Sequence, residues 1–284
     1  MSLALAPEPV ATDLSAAAAR LEAALAAMGS VLVTLSGGVD SSVVASFAAR
    51  VLGERAAAFT ATSASLTAEE QEGARAIAAA IGVRHFVEAS HEIERPGYQA
   101  NAGDRCLHCK RELYLLAEQV AAREGFAWVA DGTVLDDLTE HRPGLAAAAE
   151  RRVRHPLVEA GINKQTVRAL ARSEGLPVWD KPAMPCLGSR VAVGTRVTLA
   201  RLRRVGELEA FLRGVGLSGF RVRVHEVEGT DWARIELPVE QLSQLVAADV
   251  RGSVVERAVS LGFSRVTVDL AGYRRGSVST VPAS

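Results

Sequence analysis

The chain has 284 residues, 49% of them hydrophobic, and a formal net charge of -1 from 32 Lys+Arg against 33 Asp+Glu. That length and apolar content suffice for a full core, as one large domain or two smaller ones. The balanced charge excludes the overall basic excess with which a protein grips a long nucleic acid, leaving at most a local basic patch, so small-molecule chemistry gains weight.

The N-terminal stretch has no cationic start, and Pro7, Glu8, Pro9 and Asp13 interrupt its apolar run. It is therefore not a secretion signal, and no run approaches the ~18 apolar residues of a membrane span. The chain reads as soluble and cytoplasmic, with residues 1–12 flexible. Asp13 or Ser15 is placed to cap a helix reaching about Ala27. Val31 to Leu35 is a short β-rich run, followed by Ser36-Gly37-Gly38 and a helix from about Asp40 to Leu52. Strand Ala56 to Thr60, a helix over Ala68 to Ile81 and strand His85 to Val87 come next. A helix from about Lys110 to Glu124 leads to strand Trp128 to Ala130, which ends at Asp131-Gly132-Thr133. Strands alternating with helices predict an α/β fold, a parallel sheet covered on both faces.

After Gly194 the pattern changes to a helix over Thr198 to Leu212 and strands over Phe220 to Val227 and Trp232 to Leu237. Helices over Val239 to Ala247 and Ser253 to Leu261 and a strand over Arg265 to Leu270 follow, and the polar tail 277–284 reads as frayed. The predicted domains are 1–194 and a smaller α/β domain over 195–284.

A strand that ends in Ser-Gly-Gly and opens a helix is a phosphate cradle by construction. Glycines let backbone N–H groups converge, and the helix N-terminus adds orphan donors and partial positive charge. A bare Ser-Gly-Gly serves equally as a capped turn. The full run Ser36-Gly37-Gly38-Val39-Asp40-Ser41-Ser42 after an apolar strand is more telling. It lacks the Gly-Lys-Ser/Thr ending of a Walker A loop and is not Gly-x-Gly-x-x-Gly, which disfavours γ-phosphate chemistry and a dinucleotide. Ser36, Ser41 and Ser42 add hydroxyls. Thr60 to Ser63 lies at a strand C-terminus, where open α/β sheets bind ligands. Gly132 permits close backbone approach, and Asp136 and Asp137 offer oxygens for Mg²⁺.

There are three cysteines, Cys106, Cys109 and Cys186, an odd count that argues against a disulfide framework. Cys106-Leu107-His108-Cys109 alone fits a redox dithiol, half a zinc site or two buried thiols. Cys186 lies in the turn-rich Met184-Pro185-Cys186-Leu187-Gly188-Ser189-Arg190, a loop of the kind that carries sites. Three thiolates suit either zinc, with His108 as a fourth ligand, or a [4Fe–4S] cluster with one open iron.

The glycine loop resembles the PP-loop of the ATP pyrophosphatases, which adenylate an oxygen and release pyrophosphate before a nitrogen or sulfur nucleophile displaces AMP. The likeness puts adenine near Ser63. Further motifs narrow it: Arg105-Cys106-x-x-Cys109-Lys110, Asp131-Gly132-Thr133, Arg142-Pro143-Gly144 and Lys181-Pro182-Ala183-x-Pro185-Cys186-Leu187-x-Ser189-Arg190. With Ala233 to Pro238 and Asp269-Leu270-x-Gly272-Tyr273-Arg274, they resemble the LarE-type sulfur transferases over nearly the whole chain. One departure follows Arg190, where Val191-Ala192-Val193-Gly194 replaces the family's Ile/Phe-Pro-Tyr-Gly type of segment.

The resemblance implies ATP-dependent conversion of pyridinium-3,5-biscarboxylic acid mononucleotide, through a carboxyl adenylate, to the dithiocarboxylate used in the nickel-pincer cofactor of lactate racemase. It implies ATP and Mg²⁺ held by Ser36, Gly37, Gly38, Asp40, Ser41, Ser42, Ser63, Gly132, Thr133 and Asp136. It further implies a [4Fe–4S] cluster on Cys106, Cys109 and Cys186 that delivers sulfide, with Asp40, Cys186, Ser189 and Arg190 catalytic and Arg223 and Arg274 at the substrate phosphate. It also implies a homo-oligomer in transient contact with other proteins of pincer-cofactor synthesis, and no nucleic-acid or membrane partner. Two alternatives stay close: an iron–sulfur tRNA thiolation enzyme, and sacrifice of the Cys186 sulfur. An ammonia-using ligase has no use for three cysteines, and a nucleotide-binding module without turnover is the reading from another class.

Overall fold

The computed structural model describes residues 11–139, 143–182 and 184–273. Residues 1–10, Arg142, Ala183, Arg274 and the tail 277–284, all named above, lie outside the described residues. In chain order the elements are α1 (Ala11–Ala26), β1 (Val31–Thr34), α2 (Val39–Leu52), β2 (Ala56–Thr62), α3 (Ala68–Ile81), β3 (Arg84–Ala89), α4 (Pro96–Ala100), α5 (Arg105–Glu124), β4 (Trp128–Ala130), α6 (Gly144–Glu150), α7 (Pro156–Glu159), α8 (Lys164–Ser173), α9 (Leu199–Gly214), β5 (Arg221–Val227), β6 (Thr230–Glu236), α10 (Leu242–Val246), α11 (Ala248–Ser260) and β7 (Arg265–Val268).

By contacts the chain forms two units. The first takes the described residues through Thr62 with Ala68–Ser90 and Cys106–Met184; the second takes Ser63–Thr67, His91–Arg105 and the described residues from Pro185 onward. Pro185 to Gly194 and two earlier segments thus group with the second unit.

In the first unit a parallel sheet runs in the order β3-β2-β1-β4. All four residues of β1 are buried, as expected for a central strand covered on both faces. Successive side chains point to opposite sides. Val31 and Val33 join the core of α1, α2 and α8, with Leu21, Leu25, Val43, Phe47, Val167 and Leu170. Leu32 joins Ala57, Phe59 and the α5 residues Ala117, Val120 and Ala121. The expected two-faced α/β sheet is present.

Helix α8 is absent from the elements expected from the sequence, although its signals are local. Asn163 caps it by accepting from the Thr166 N–H at 2.9 Å, and Val167, Leu170 and Ala171 are buried at helical spacing. Helix α5 begins at Arg105 rather than near Lys110, so Cys106 and Cys109 stand on its first turn.

The second unit has a sheet in the order β5-β6-β7, with β5 and β6 antiparallel and β7 parallel to β6. The two-residue turn Glu228-Gly229 has φ of 50° and 74°, the left-handed pair that matches the twist of a tight hairpin. Val222, Val224, Ala233 and Ile235 are buried, as are Leu202, Val205, Leu208 and Leu212 of α9.

Candidate active site

In the first unit the chain leaves β1 at Thr34 and turns into α2 through the glycine loop. Gly37 has φ of 69°, and a Cβ there would lie 3.0 Å from the Ala74 backbone nitrogen, so conformation and space both demand glycine. Ser36 and Ser41 tie the loop together: the Ser36 N–H donates to Ser41 Oγ at 3.2 Å, and the two hydroxyls are 3.1 Å apart. Ser42, fully buried, donates its hydroxyl to the Gly38 carbonyl at 2.7 Å. Asp40 pairs with Lys164 at the start of α8, 2.5 Å from Oδ1 to Nζ. Lys181 donates to the Gly37 carbonyl at 2.9 Å.

The end of β4 closes onto this loop. A Cβ on Gly132 would fall 2.5 Å from the Ser41 nitrogen and 2.9 Å from the Asp40 carbonyl carbon, so only glycine permits the approach. Beside it, Asp131 is 4% exposed and accepts from Tyr114 Oη at 2.6 Å and the Thr133 N–H at 3.0 Å, with His155 Nδ1 at 2.7 Å. Burial penalises the Asp131 carboxylate, yet the His155 hydrogen bond, Lys110 and Tyr114 together hold it well below the usual carboxylate range. Burial likewise disfavours the Lys110 ammonium, but Tyr114 and Asp131 keep it charged. Asp136 and Asp137, expected near Mg²⁺, accept from the Lys164 and Val134 N–H groups.

Cys106 is exposed and Cys109 half-buried, three residues apart and so on one helix face. A Cβ on Gly144 at the start of α6 would lie 3.0 Å from Lys110 Cγ and 3.8 Å from the Cys106 carbonyl, which accounts for the glycine after Pro143. Among the described residues of neither unit do three His, Cys, Asp or Glu converge on a metal position.

In the second unit Cys186 is half-buried and heads the 3-10 turn Leu187–Arg190. Arg190 is buried and faces inward: Nε donates to Glu209 at 2.9 Å and Nη1 to the Cys186 carbonyl at 3.2 Å and the Ser189 hydroxyl at 3.1 Å. Ser189 donates its own hydroxyl to the Cys186 carbonyl at 2.7 Å. Arg223 braces the turn from β5, donating to the Ser189 carbonyl and to Glu236, each at 3.0 Å. Ser63 caps the Ser65 N–H, and the Leu187 N–H donates to the Ser65 carbonyl at 2.8 Å.

Asn101 fastens the next stretch. It is buried in the left-handed region at φ 51°, and its Nδ2 reaches the carbonyls of Val191, Ala192 and Thr195 at 3.2, 2.8 and 3.1 Å. Asn101→Ala strands these carbonyls and places Cβ-bearing alanine at positive φ. A loss of about 1–3 kcal/mol is expected, checked by urea denaturation.

Lys164, Tyr114, His155, Glu209 and Glu236 escaped sequence reasoning, because each acts through a partner distant in the chain. For Lys164 a signal existed: it directly follows the helix-capping Asn163.

The asparagine synthase family model matches residues 16–96, a span that includes the glycine loop. An uncharacterized protein of Synechocystis sp. is 44% identical over 250 residues, 88% of this chain and 92% of the relative. The pyridinium-3,5-bisthiocarboxylic acid mononucleotide synthase of Lactiplantibacillus plantarum is 36% identical over 262 residues, 92% of this chain and 93% of that protein. A component of the glutamine-hydrolyzing GMP synthase of Methanoregula boonei is 29% identical over 180 residues, 57% of this chain and 56% of that component. Among the described residues no helix is long and apolar enough to cross a membrane.

Proposed function

Because the chain belongs to the LarE-type family of ATP-dependent sulfurtransferases, we propose that it inserts sulfur into pyridinium-3,5-biscarboxylic acid mononucleotide. The carrying observation is the 36% identity to the Lactiplantibacillus plantarum synthase over 92% of this chain. The Ser36–Ser42 cradle takes the ATP phosphates. A substrate carboxylate oxygen attacks the α-phosphorus, the α–β P–O bond breaks and pyrophosphate leaves with the electron pair. Sulfide then adds to the acyl carbon and AMP departs, leaving a thiocarboxylate; a second round gives the dithio product.

Three cysteines outside any disulfide, two of them three residues apart on α5, are a donor set that suits an iron–sulfur centre. On this reading Cys106, Cys109 and Cys186 would hold a [4Fe–4S] cluster, which would supply the sulfide. Ser189 and Arg190 shape the turn carrying Cys186, and Arg223 and Arg274 serve the substrate phosphate. Mg²⁺ accompanies ATP near Asp136. The homo-oligomer and the contacts with other cofactor-building proteins belong to the same proposal.

The test is anaerobic thiolation of the pyridinium mononucleotide with Mg·ATP, with and without sulfide, followed by mass spectrometry. A gain of sulfur only with ATP is expected, and Cys186→Ala abolishes it. Absence of thiolated product from the iron-loaded protein overturns the reading. Loss of one H₂S mass at Cys186 after turnover replaces the cluster route by sacrifice of that cysteine.

A further inference from the structure

One side of α11 carries an apolar stripe that is left exposed. Val255 and Val259 are 44% and 57% exposed, and Ala248 and Gly252 are exposed on the same side. At ~100° per residue the four fall within about 60° of one another around the helix axis. A different side, with Val254 and Ala258 buried, holds the helix to the second unit. A Cβ on Gly252 would meet nothing within 4 Å, so packing among the described residues does not call for glycine there, although glycine weakens a helix interior. The stripe has heptad spacing, with Ala248 and Val255 at d and Gly252 and Val259 at a. Arg251 then stands at g, and Asp249 and Glu256 at e. Arg251 and Glu256 are exposed, and neither side chain has an ion-pair partner among the described residues.

We propose that α11 is the contact helix between two copies of this chain, lying parallel about a two-fold axis that runs along the stripe. Charge selects both the partner and the direction. In a parallel pair a g residue meets the e residue five positions on in the other helix, so Arg251 faces Glu256 of the partner subunit, once on each flank. An antiparallel pair sets e against e and g against g. Glu256 would then face Asp249 of the partner subunit, a like-charge contact, and Arg251 would find no carboxylate. In the parallel pair each apolar residue meets its own copy across the axis. Gly252 lets the two backbones approach closely, and Val255 and Val259 fill the seam beyond it. Flanking charges of both signs fit a second copy better than an anionic bilayer, which favours a basic polar face. Four residues a side fall well short of the ~20–30 of a standard interface, so this contact gives a reversible, concentration-dependent pair. The proposal names a surface for the homo-oligomer of the reading above and rests on that reading for nothing else.

Sedimentation velocity of the full chain over a concentration series tests the pair, with circular dichroism checking the fold of each variant. The wild type is expected to show a reversible step that doubles its mass. Arg251→Glu and Glu256→Arg each turn two attractive contacts into two like-charge ones, which weakens that step by about tenfold in Kd. The double change Arg251→Glu with Glu256→Arg restores it, because the same contacts re-form with the signs exchanged. Val259→Asp puts a charge in the seam and abolishes the step. A wild type that shows no such step, a Kd unmoved by Val259→Asp, or a double variant no tighter than the single ones overturns the proposal. So does a monomeric wild type that sediments with anionic vesicles instead. Thiolation is measured separately on the same preparations. A wild type that pairs but forms no thiolated product has lost only the acceptor assignment, whereas one that thiolates with a Kd insensitive to Val259→Asp has lost only the α11 contact.

Discussion

Asp131→Ala is expected to cost about 3–5 kcal/mol at neutral pH, the penalty for removing one partner of a buried charged network. The substitution leaves the Tyr114 hydroxyl and His155 Nδ1 without their shared partner and the Lys110 ammonium without that neighbouring negative charge. Asp131→Asn keeps the shape and exposes the charge contribution through its pH dependence. Native interactions depress the Asp131 carboxyl, so its stabilisation is complete above the ordinary carboxylate pKa of about 4 and is lost as pH falls toward the lower native value. The gap in unfolding free energy between wild type and Asp131→Asn should therefore hold steady from neutral pH to about pH 5 and narrow below about pH 4. Urea titrations across that range measure it. A gap that widens on acidification would contradict the assignment.

Arg190→Ala should be comparably severe. It leaves Glu209 buried without its counter-charge, which costs about 3–5 kcal/mol, and it removes the donors that close the Cys186 turn. Arg190→Lys restores charge without the fork that spans Glu209 and the turn, so it recovers only part of the loss. The double change Arg190→Met with Glu209→Leu offers the sharper comparison. Replacing a buried pair by apolar groups of similar size is often neutral or stabilising. The Val222 N–H, which donates to Glu209 at 3.1 Å, would still lose its acceptor. Stability should largely return, while thiolation stays low because the Arg190 donors to the carbonyls of Pro185 and Cys186 are gone. Thermal denaturation and product yield on the same preparations separate the two effects.

These networks also mark where sequence reasoning stops. Strands β1, β2 and β4 and the glycine loop are legible because each rests on neighbouring residues: a β-rich run, a Ser-Gly-Gly, an Asp-Gly. The close approach at Gly132 is legible as a permission, but Ser41 as the group approached is not, since the two are far apart in the chain. The same holds for Arg190 with Glu209 and Arg223 with Glu236, where a lone arginine reads as a solvated surface residue until the fold supplies its carboxylate. The start of α5 was displaced for another reason. Cys106 to Lys110 carries no apolar periodicity, so a helix there follows from tertiary context rather than pattern.

The make-up of the second unit sets an order of events during synthesis. Asn101 leaves the ribosome early, yet the carbonyls it binds, those of Val191, Ala192 and Thr195, arrive about ninety residues later. Until then the Asn101 Nδ2 that will gather three carbonyls has none of them to bind. At the ~5–20 residues per second of translation, that wait lasts some seconds, long compared with the closing of a local helix or hairpin. A ribosome pausing shortly before Leu187 would thus display a chain whose first sheet has all its strands while the pieces of its second unit wait unjoined. Such a nascent chain is where a chaperone would find its longest-lived target, and codon choice just ahead of Cys186 becomes a variable of folding yield.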